Sequence, residues 1–398
     1  MQSPYVQPAW SAKVDTWEVY ANTNFTVTGE GKVFSLSGKR LIALNVQTGK
    51  TVWTYGASLL PSIIYQEGTI YGAANDGSIY ALSASNGKRK WLSSIKLPSP
   101  DAIEVVGDTL YILKGKAMYA FNPKTGKQLW TNTELQSEYG HAGLIDAGDV
   151  VFRTYTVQGA LTSVQLNAID KKTGKKLWGI FRQNTPLKIE GGLVYSVKDN
   201  YSPIIEGPER SVTVSVINLK TGELKGSRVY RWSVQEGPGV EYQTGGPCYL
   251  DGNDFYVHQN GIIARYDFSN YKPNDKPLRN YYEPASNSYG YPAQKVHRGR
   301  ILFASSGNGT LTGIKTANGQ QMSWAGDNPS SMTDIYGKGV YLAQTDGILH
   351  AIDFDSGKPL FRVKTGARNY GPTLKEGGSL IIQTNGKLTG VRLPAALK

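Results

Sequence analysis

An eleven-residue pattern recurs along this chain, and it limits the possible folds more than any other feature. Ala43 to Trp53 reads ALNVQTGKTVW, Ala81 to Trp91 reads ALSASNGKRKW, Ala120 to Trp130 reads AFNPKTGKQLW, and Ala168 to Trp178 reads AIDKKTGKKLW. Each copy has Ala first, Gly seventh and Trp last. Later copies decay. Val216 to Gly226 keeps Thr221-Gly222 but loses the Trp, and Ala264 to Asn270 keeps the Ala and loses the Gly. Gly313 to Trp324 is one residue longer, and Ala351 to Phe361 replaces Trp by Phe. A glycine turn followed by an apolar strand precedes each copy, as in Gly31-Lys32-Val33-Phe34, Gly68-Thr69-Ile70-Tyr71 and Gly192-Leu193-Val194-Tyr195. Nine such strands occur, the last at Gly378-Ser379-Leu380-Ile381, at intervals of roughly 38 to 49 residues, a spacing that marks an array of repeats.

The segments between turns are short, rich in Val, Ile, Tyr, Phe and Thr, and bounded by Gly, Asn, Asp or Ser, which are strand and turn signals. No stretch of about ten residues shows helical apolar spacing. Each unit therefore supplies four strands: A before the glycine turn, B after it, C ending near the conserved-register Ala, and D carrying the Trp. The Thr-Gly-Lys turn joins C to D, where glycine takes the positive φ that a tight hairpin demands. One four-stranded sheet cannot bury two apolar faces alone, but radial stacking of such sheets does, so the pattern predicts an all-β propeller. Residues 1–398 are expected to form this single domain. The last unit ends with no Gly-Lys turn and no Trp, while Pro8-Ala9-Trp10-Ser11 reads as a D strand with no unit before it. Residues 1–11 are accordingly expected to complete the last blade and seal two exposed edges.

Composition narrows the function. Apolar runs stop at about five residues, far short of the ~20 that span a bilayer as a helix. A single cysteine, Cys248, rules out an intrachain disulfide and any multi-cysteine metal site. The formal net charge of +12 favours anionic partners without choosing among them. Double-stranded DNA readout is not expected, because the pattern contains no recognition helix.

The Ala-x-Asp/Asn-x-x-Thr-Gly-Lys-x-x-Trp pattern resembles the tryptophan-docking repeat of PQQ-like β-propellers. That group includes quinoprotein alcohol dehydrogenases, secreted non-enzymatic proteins of Gram-positive bacteria and, more distantly, the assembly scaffold BamB. The resemblance implies rings of eight blades, against the nine glycine-turn strands counted here. Eight is favoured over nine on the ground that atypical end units can share a sheet. The resemblance also implies that the enzymes hold their quinone with a disulfide of adjacent cysteines, a Ca²⁺ ligand set and a catalytic Asp. One cysteine cannot make that disulfide, and no Ca²⁺ ligand set matches position by position. The expectation is a secreted, non-catalytic binding platform without cofactor, its signal peptide already removed. It would be monomeric and hold a protein, polysaccharide or anionic cell-wall partner. The alternative is an enzyme, either a degenerate quinoprotein dehydrogenase or a carbohydrate-active propeller.

Site chemistry is sparse. His141, His258, His297 and His350 form no metal-ligand spacing. Asp353-Phe354-Asp355-Ser356-Gly357 resembles a calcium loop but falls in the C–D turn register, so a turn is expected. Trp53, Trp91, Trp130, Trp178, Trp324 and Phe361 are read as docking residues, large rings lying against the neighbouring unit. A–B and C–D turns must share one face of the disc, and the Lys50, Lys88, Lys127, Lys175, Lys176 and Lys358 turns would give that face a basic ring. The B–C and D–A loops share the opposite face and carry the long insertions. Binding is expected there, at Tyr139, Tyr201, Glu206, Glu209, Arg210, Glu236, Glu241, Tyr242, Tyr289 and Tyr291, since loops on a rigid scaffold commonly carry recognition.

Overall fold

The computed structural model describes residues 3–16, 26–133, 143–159, 162–199, 207–235, 237, 247–259, 261–284, 291–305 and 309–398, with 291–295 described by backbone only. These residues form nine four-stranded antiparallel sheets, the blades of a β-propeller. Blade 1 comprises Thr26–Gly29, Lys32–Ser37, Arg40–Asn45 and Thr51–Tyr55 as strands A to D. Blades 2 to 5 occupy 59–92, 102–132, 145–181 and 183–233, and blades 6 to 8 occupy 248–282, 291–324 and 330–364. Blade 9 takes Leu374–Glu376, Ser379–Thr384 and Lys387–Arg392 as strands A to C, and Trp10–Lys13 as strand D.

The count is nine and not the favoured eight. End units do not share a sheet, because the last repeat brings three strands and the N-terminal segment brings the fourth. Trp10 pairs with Gly390 and Lys13 with Lys387, in the antiparallel register that D strands adopt elsewhere. The segment before it does more than the sequence suggested. Val6 N donates to Arg362 O and Arg362 N to Pro4 O, both at 2.8 Å, so the chain lies parallel along the outer strand of blade 8 before crossing to blade 9. The Tyr5 ring covers the guanidinium of Arg362 at 4.2 Å and the Lys364 ammonium at 4.9 Å, a cation–π clamp.

Strands B and C are buried on both faces and read as near-continuous apolar runs, as in Leu110, Tyr111, Ile112 and Leu113, all 2% exposed or less. The core is divided among the wedges between blades. Phe34, Leu36, Leu41 and Ala43 of blade 1, for example, pack with Leu59, Ile63, Ile70 and Tyr80 of blade 2. Strands A of neighbouring blades approach one another and line the central channel.

The repeat motif builds one particular turn. In blade 1, Asn45 Oδ1 accepts from Gln47 N and Thr48 N at 3.0 Å, an Asx turn, while Gly49 closes the bulge with φ near +66°. The residue after the Asx position then ties this turn to the A–B turn of its own blade. Val46 N donates to Gly31 O at 3.0 Å, Ala84 N to Gly68 O at 3.0 Å, and Leu219 N to Gly192 O at 2.9 Å. Blade 3 has Pro123 there, which has no N–H to give.

Candidate functional site

The carbonyl of that same residue is the socket for the preceding blade. Indole Nε1–H donates from Trp10 to Val46 O at 2.8 Å, from Trp53 to Ala84 O at 3.1 Å and from Trp91 to Pro123 O at 2.8 Å. Trp130 donates to Lys171 O at 2.9 Å and Trp178 to Leu219 O at 3.0 Å. Each ring also covers the motif glycine of the next turn. A Cβ on Gly87 would stand 2.6 Å from Trp53, and one on Gly126 would stand 2.4 Å from Trp91. Glycine is therefore required twice over, for its left-handed φ and for the flat contact with the ring. Trp10, first seen only as part of a closing strand, makes the same bond from blade 9 to blade 1.

The other four seams use different chemistry at the same place. Between blades 5 and 6 the Arg228 guanidinium donates to Phe268 O and lies 4.7 and 4.4 Å from the ring centres of Tyr195 and Phe268. Between blades 6 and 7 Tyr281 OH donates to Thr316 O at 2.9 Å. The C–D pairing of blade 7, like that of blade 6, lacks the bulge that blades 1 to 5 and 8 carry, so Met322, not Trp324, stands opposite the first repeat residue Gly313. Met322 reaches the motif glycine Gly357 of blade 8. Trp324 lies two residues further on, stacked on Phe354 of blade 8 with ring centres 4.6 Å apart, and its buried Nε1–H has no acceptor. Phe361, 2% exposed, joins an apolar cluster with Leu393 of blade 9.

The positions where binding is expected lie mostly outside the described residues. Tyr139, Tyr201, Glu206, Glu236, Glu241, Tyr242 and Tyr289, with His141, lie outside the described residues, and Tyr291 opens strand A of blade 7 with its side chain undescribed. Glu209 and Arg210 do not sit in a loop. They begin strand C of blade 5, Glu209–Asn218, which alternating Val212, Val214 and Val216 lengthen to ten residues. Glu209 pairs with Arg231 at 2.8 Å, whereas Arg210 is 1% exposed and donates to the carbonyls of Gly207 at 2.7 Å and Glu209 at 2.9 Å. Arg210 is thus a strand-capping residue of the interior.

The lysine turns are exposed as a group, but they do not stand alone on their face. The inner A–B turns carry exposed Glu30, Glu67, Asp108, Asp149, Glu190 and Asp251 in blades 1 to 6. The turn face is therefore acidic near the channel and basic toward the rim. At blades 7 and 8 the order reverses, with Arg298 and Lys338 inside and Asp355 outside, joined by an Arg298–Asp355 pair at 2.9 Å. Arg298 holds the Asp355 carboxyl below the usual carboxylate range. A channel cavity of about 500 Å³ lies between strands A of blades 1, 2, 3 and 9, lined by residues including Val27, Tyr65, Gln66, Glu104 and Leu374.

Titratable groups elsewhere have structural surroundings. Asp353 Oδ1 accepts from Ser356 N at 2.8 Å and Ser356 Oγ at 2.6 Å, a turn and not an ion cage. His258 Nδ1 lies 2.8 Å from Glu283 Oε1, and burial lowers the pKa of His350. Desolvation pushes the Cys248 thiol up to about 12. No grouping of three metal-ligating side chains occurs among the described residues.

Nine four-stranded blades, with an indole-to-carbonyl contact at five consecutive seams, define a tryptophan-docked β-propeller. The family described as outer membrane protein assembly factor BamB matches residues 7–237 and 119–363, and the chain belongs to it. BamB of Burkholderia pseudomallei is 23% identical over 335 residues, which is 81% of each chain. Quinoprotein ethanol dehydrogenase of Pseudomonas aeruginosa is 27% identical over 36% of this chain and 23% of its own. Tetrathionate hydrolase of Acidithiobacillus ferrooxidans is 27% identical over 46% and 39% respectively. Among solved structures, BamB of Moraxella catarrhalis superposes with a TM-score of 0.50 at 13% identity, covering 97% of this chain and 98% of that one. No helix among the described residues is long and apolar enough to cross a membrane.

Proposed function

We propose that this protein is a non-catalytic propeller acting outside the cytosol, holding a protein or polysaccharide partner on its loop face. The observation that carries this reading is the division of labour in the repeat. Its strongest sequence signals go into locking blades together, while the longest connections, such as 133–144 and 234–247, each run from a strand D to the next strand A, whose ends share one face of the disc. The near-full-length similarity to BamB, whose name is that of an assembly factor, supports a protein partner. The turn-face lysines offer a secondary attraction for anionic polymer, tempered by the inner carboxylates. No sequence-specific nucleic acid is expected, and the working unit is a monomer. The lone Cys248, with its thiol held protonated by desolvation, supports a role without cofactor redox chemistry.

The test is capture from an extracytoplasmic extract with the full chain, beside a variant carrying Tyr201→Ser, Tyr242→Ser and Tyr289→Ser. A specific partner retained by the full chain and lost by the triple variant is expected, with Lys50→Ser, Lys88→Ser and Lys127→Ser leaving capture intact. Quinone-dependent dye reduction, or tight binding of the quinone, would overturn the reading. The partial similarities to a dehydrogenase and a hydrolase favour an enzyme as the second reading. In that case Glu206→Gln, Glu209→Gln, Glu236→Gln or Glu241→Gln would abolish a measurable turnover such as release of reducing sugar.

A further inference from the structure

The bulge that shapes the lock also turns a side chain outward. Where strand C pairs with strand D, Ala43, Ala120 and Ala168 face the Trp of their own blade, and Leu44, Phe121 and Ile169 face Thr51, Gln128 and Lys176. The residue in between has no cross-strand partner: Val52 in blade 1, Leu129 in blade 3 and Leu177 in blade 4. A bulged residue leaves the ladder and its side chain is re-aimed. These three are 49%, 48% and 43% exposed. At blade 8 the same position is Leu360, and there the chain covers it. Leu360 is half-buried, against the cluster that also seats Val6 of the N-terminal segment.

Each uncovered side chain stands one or two residues from the lysines of its turn. Lys50, Lys88, Lys124, Lys127, Lys175 and Lys176 are exposed, and none joins an ion pair among the described residues. The C–D turns of blades 1 to 4 contain one carboxylate, Asp170, and it is taken up inside its own turn by Thr173 N and Oγ1, both at 2.7 Å. Blade 5 differs, because its turn supplies the counter-charge. Lys225, at the bulge position, pairs there with Glu223 at 2.7 Å. The locks make the arc of blades 1 to 4 continuous. Trp53, Trp91 and Trp130 hold the lysine turns of blades 2, 3 and 4 against the outer strands of blades 1, 2 and 3. Asn132 of blade 3 adds a bond to Gly174 O at 2.6 Å.

We propose that the turn-face rim of blades 1 to 4 is a docking surface for an anionic lipid bilayer. The lysine ammonium groups meet the headgroup phosphates, and Val52, Leu129 and Leu177 enter the boundary with the acyl chains. Charge complementarity selects an anionic partner. The apolar residues set among the lysines select one with an apolar interior, which a soluble polyanion lacks. Glu30, Glu67 and Asp108 on the inner turns disfavour flat contact, so the disc meets the bilayer tilted onto this arc. The surface goes beyond the interaction-platform reading, which concerns the opposite face, and the two fail independently because capture on the loop face involves no lipid.

The full chain is sedimented with vesicles of equal parts phosphatidylcholine and phosphatidylglycerol, and with vesicles of phosphatidylcholine alone. Binding to the anionic vesicles is expected, weakened by added salt and exceeding that to the neutral ones by at least roughly tenfold. Lys127→Ser, Lys175→Ser and Lys176→Ser together should weaken it on the order of 100-fold, roughly fivefold for each lysine. Leu129→Ser with Leu177→Ser should weaken it roughly tenfold. Lys315→Ser with Lys358→Ser, in the C–D turns of blades 7 and 8, should leave it unchanged. All these positions are exposed, and an unchanged Tm shows that each variant is folded. Failure to bind, equal binding to both vesicles, or an equal loss from the blade 7 and 8 variant would overturn the proposal. So would a leucine variant that binds as the parent does, and tight binding of dextran sulfate by that variant would assign the rim to a soluble polyanion instead.

Discussion

A single indole does three jobs at each lock: it fills the wedge, donates one hydrogen bond and presses on a glycine that tolerates no side chain. Trp130 shows all three, being 8% exposed, bonded to Lys171 O and flat against Gly174. Trp130→Ala is expected to cost about 3–5 kcal/mol, the range for truncating a buried Trp. Gly126→Ala, on the socket of Trp91, is expected to cost on the order of 1–3 kcal/mol by overpacking. The two halves of one lock must couple. In a cycle of Trp91→Ala with Gly126→Ala, the double variant should lose less stability than the sum, because the ring that clashes is gone. Denaturant midpoints measure this, and strict additivity would mean that ring and glycine do not share the lock. These partners were legible in the sequence because Gly and Trp recur at fixed spacing. Arg228, Tyr281 and Met322 were not legible, because the socket is a backbone carbonyl that any donor or ring can serve. A register change of one bulge also moves the serving position along strand D.

At the scale of the element, the N-terminal segment is the part whose role the sequence half disclosed. Its D strand was readable from Pro8-Ala9-Trp10, since a strand without a preceding unit has one place to go. Its contact with the outer edge of blade 8 was not, because Ser3 to Val6 carries no strand pattern and is placed by Arg362 and Lys364 across the fold. Removing residues 1–13 should expose the outer edge of strand C in blade 9 together with the Val33, Leu44 and Ile381 cluster under Trp10. The expected outcome is a lower Tm and concentration-dependent association in light scattering, as unpaired edges recruit other chains. A monomer with unchanged Tm would show that the ring does not depend on this closure. Elsewhere the Tyr271 hydroxyl accepts from Val229 N at 2.9 Å, capping the free edge of the ten-residue outer strand of blade 5. The longest outer strand thus carries its own protection against pairing.

The whole ring is uneven. Five consecutive seams, from blade 9 round to blade 5, carry the indole lock, and four do not. Blade 7 is the weakest point by this logic. It lacks the C–D bulge of blades 1 to 5 and 8, offers Met322 where blades 1 to 4 offer Trp, and buries an unbonded indole N–H, which costs roughly 1–3 kcal/mol. Hydrogen exchange should therefore be faster for amides of Arg300–Ala304 and Leu311–Lys315 than for Thr109–Lys114 and Ala117–Phe121 of blade 3. Uniform exchange around the disc would remove the distinction between locked and unlocked seams. The family and the all-β ring could be read from the repeat alone, and the blade number could not. Nine glycine turns were countable, but whether end units merge depends on which strand pairs with Lys387–Arg392, a contact between residues more than 370 positions apart.

That pairing sets an order of events. Trp10–Lys13 leaves the ribosome before any of its partners exist, and its mate Lys387–Arg392 is made more than 370 residues later. Eight blades can form in sequence, each on the one before, yet the circle stays open until Lys387–Arg392 has been made. A chain built this way has a long interval in which it is locally folded and globally open. Passage through a narrow conduit in that interval requires undoing individual hairpins, whereas after closure it requires breaking the whole circle.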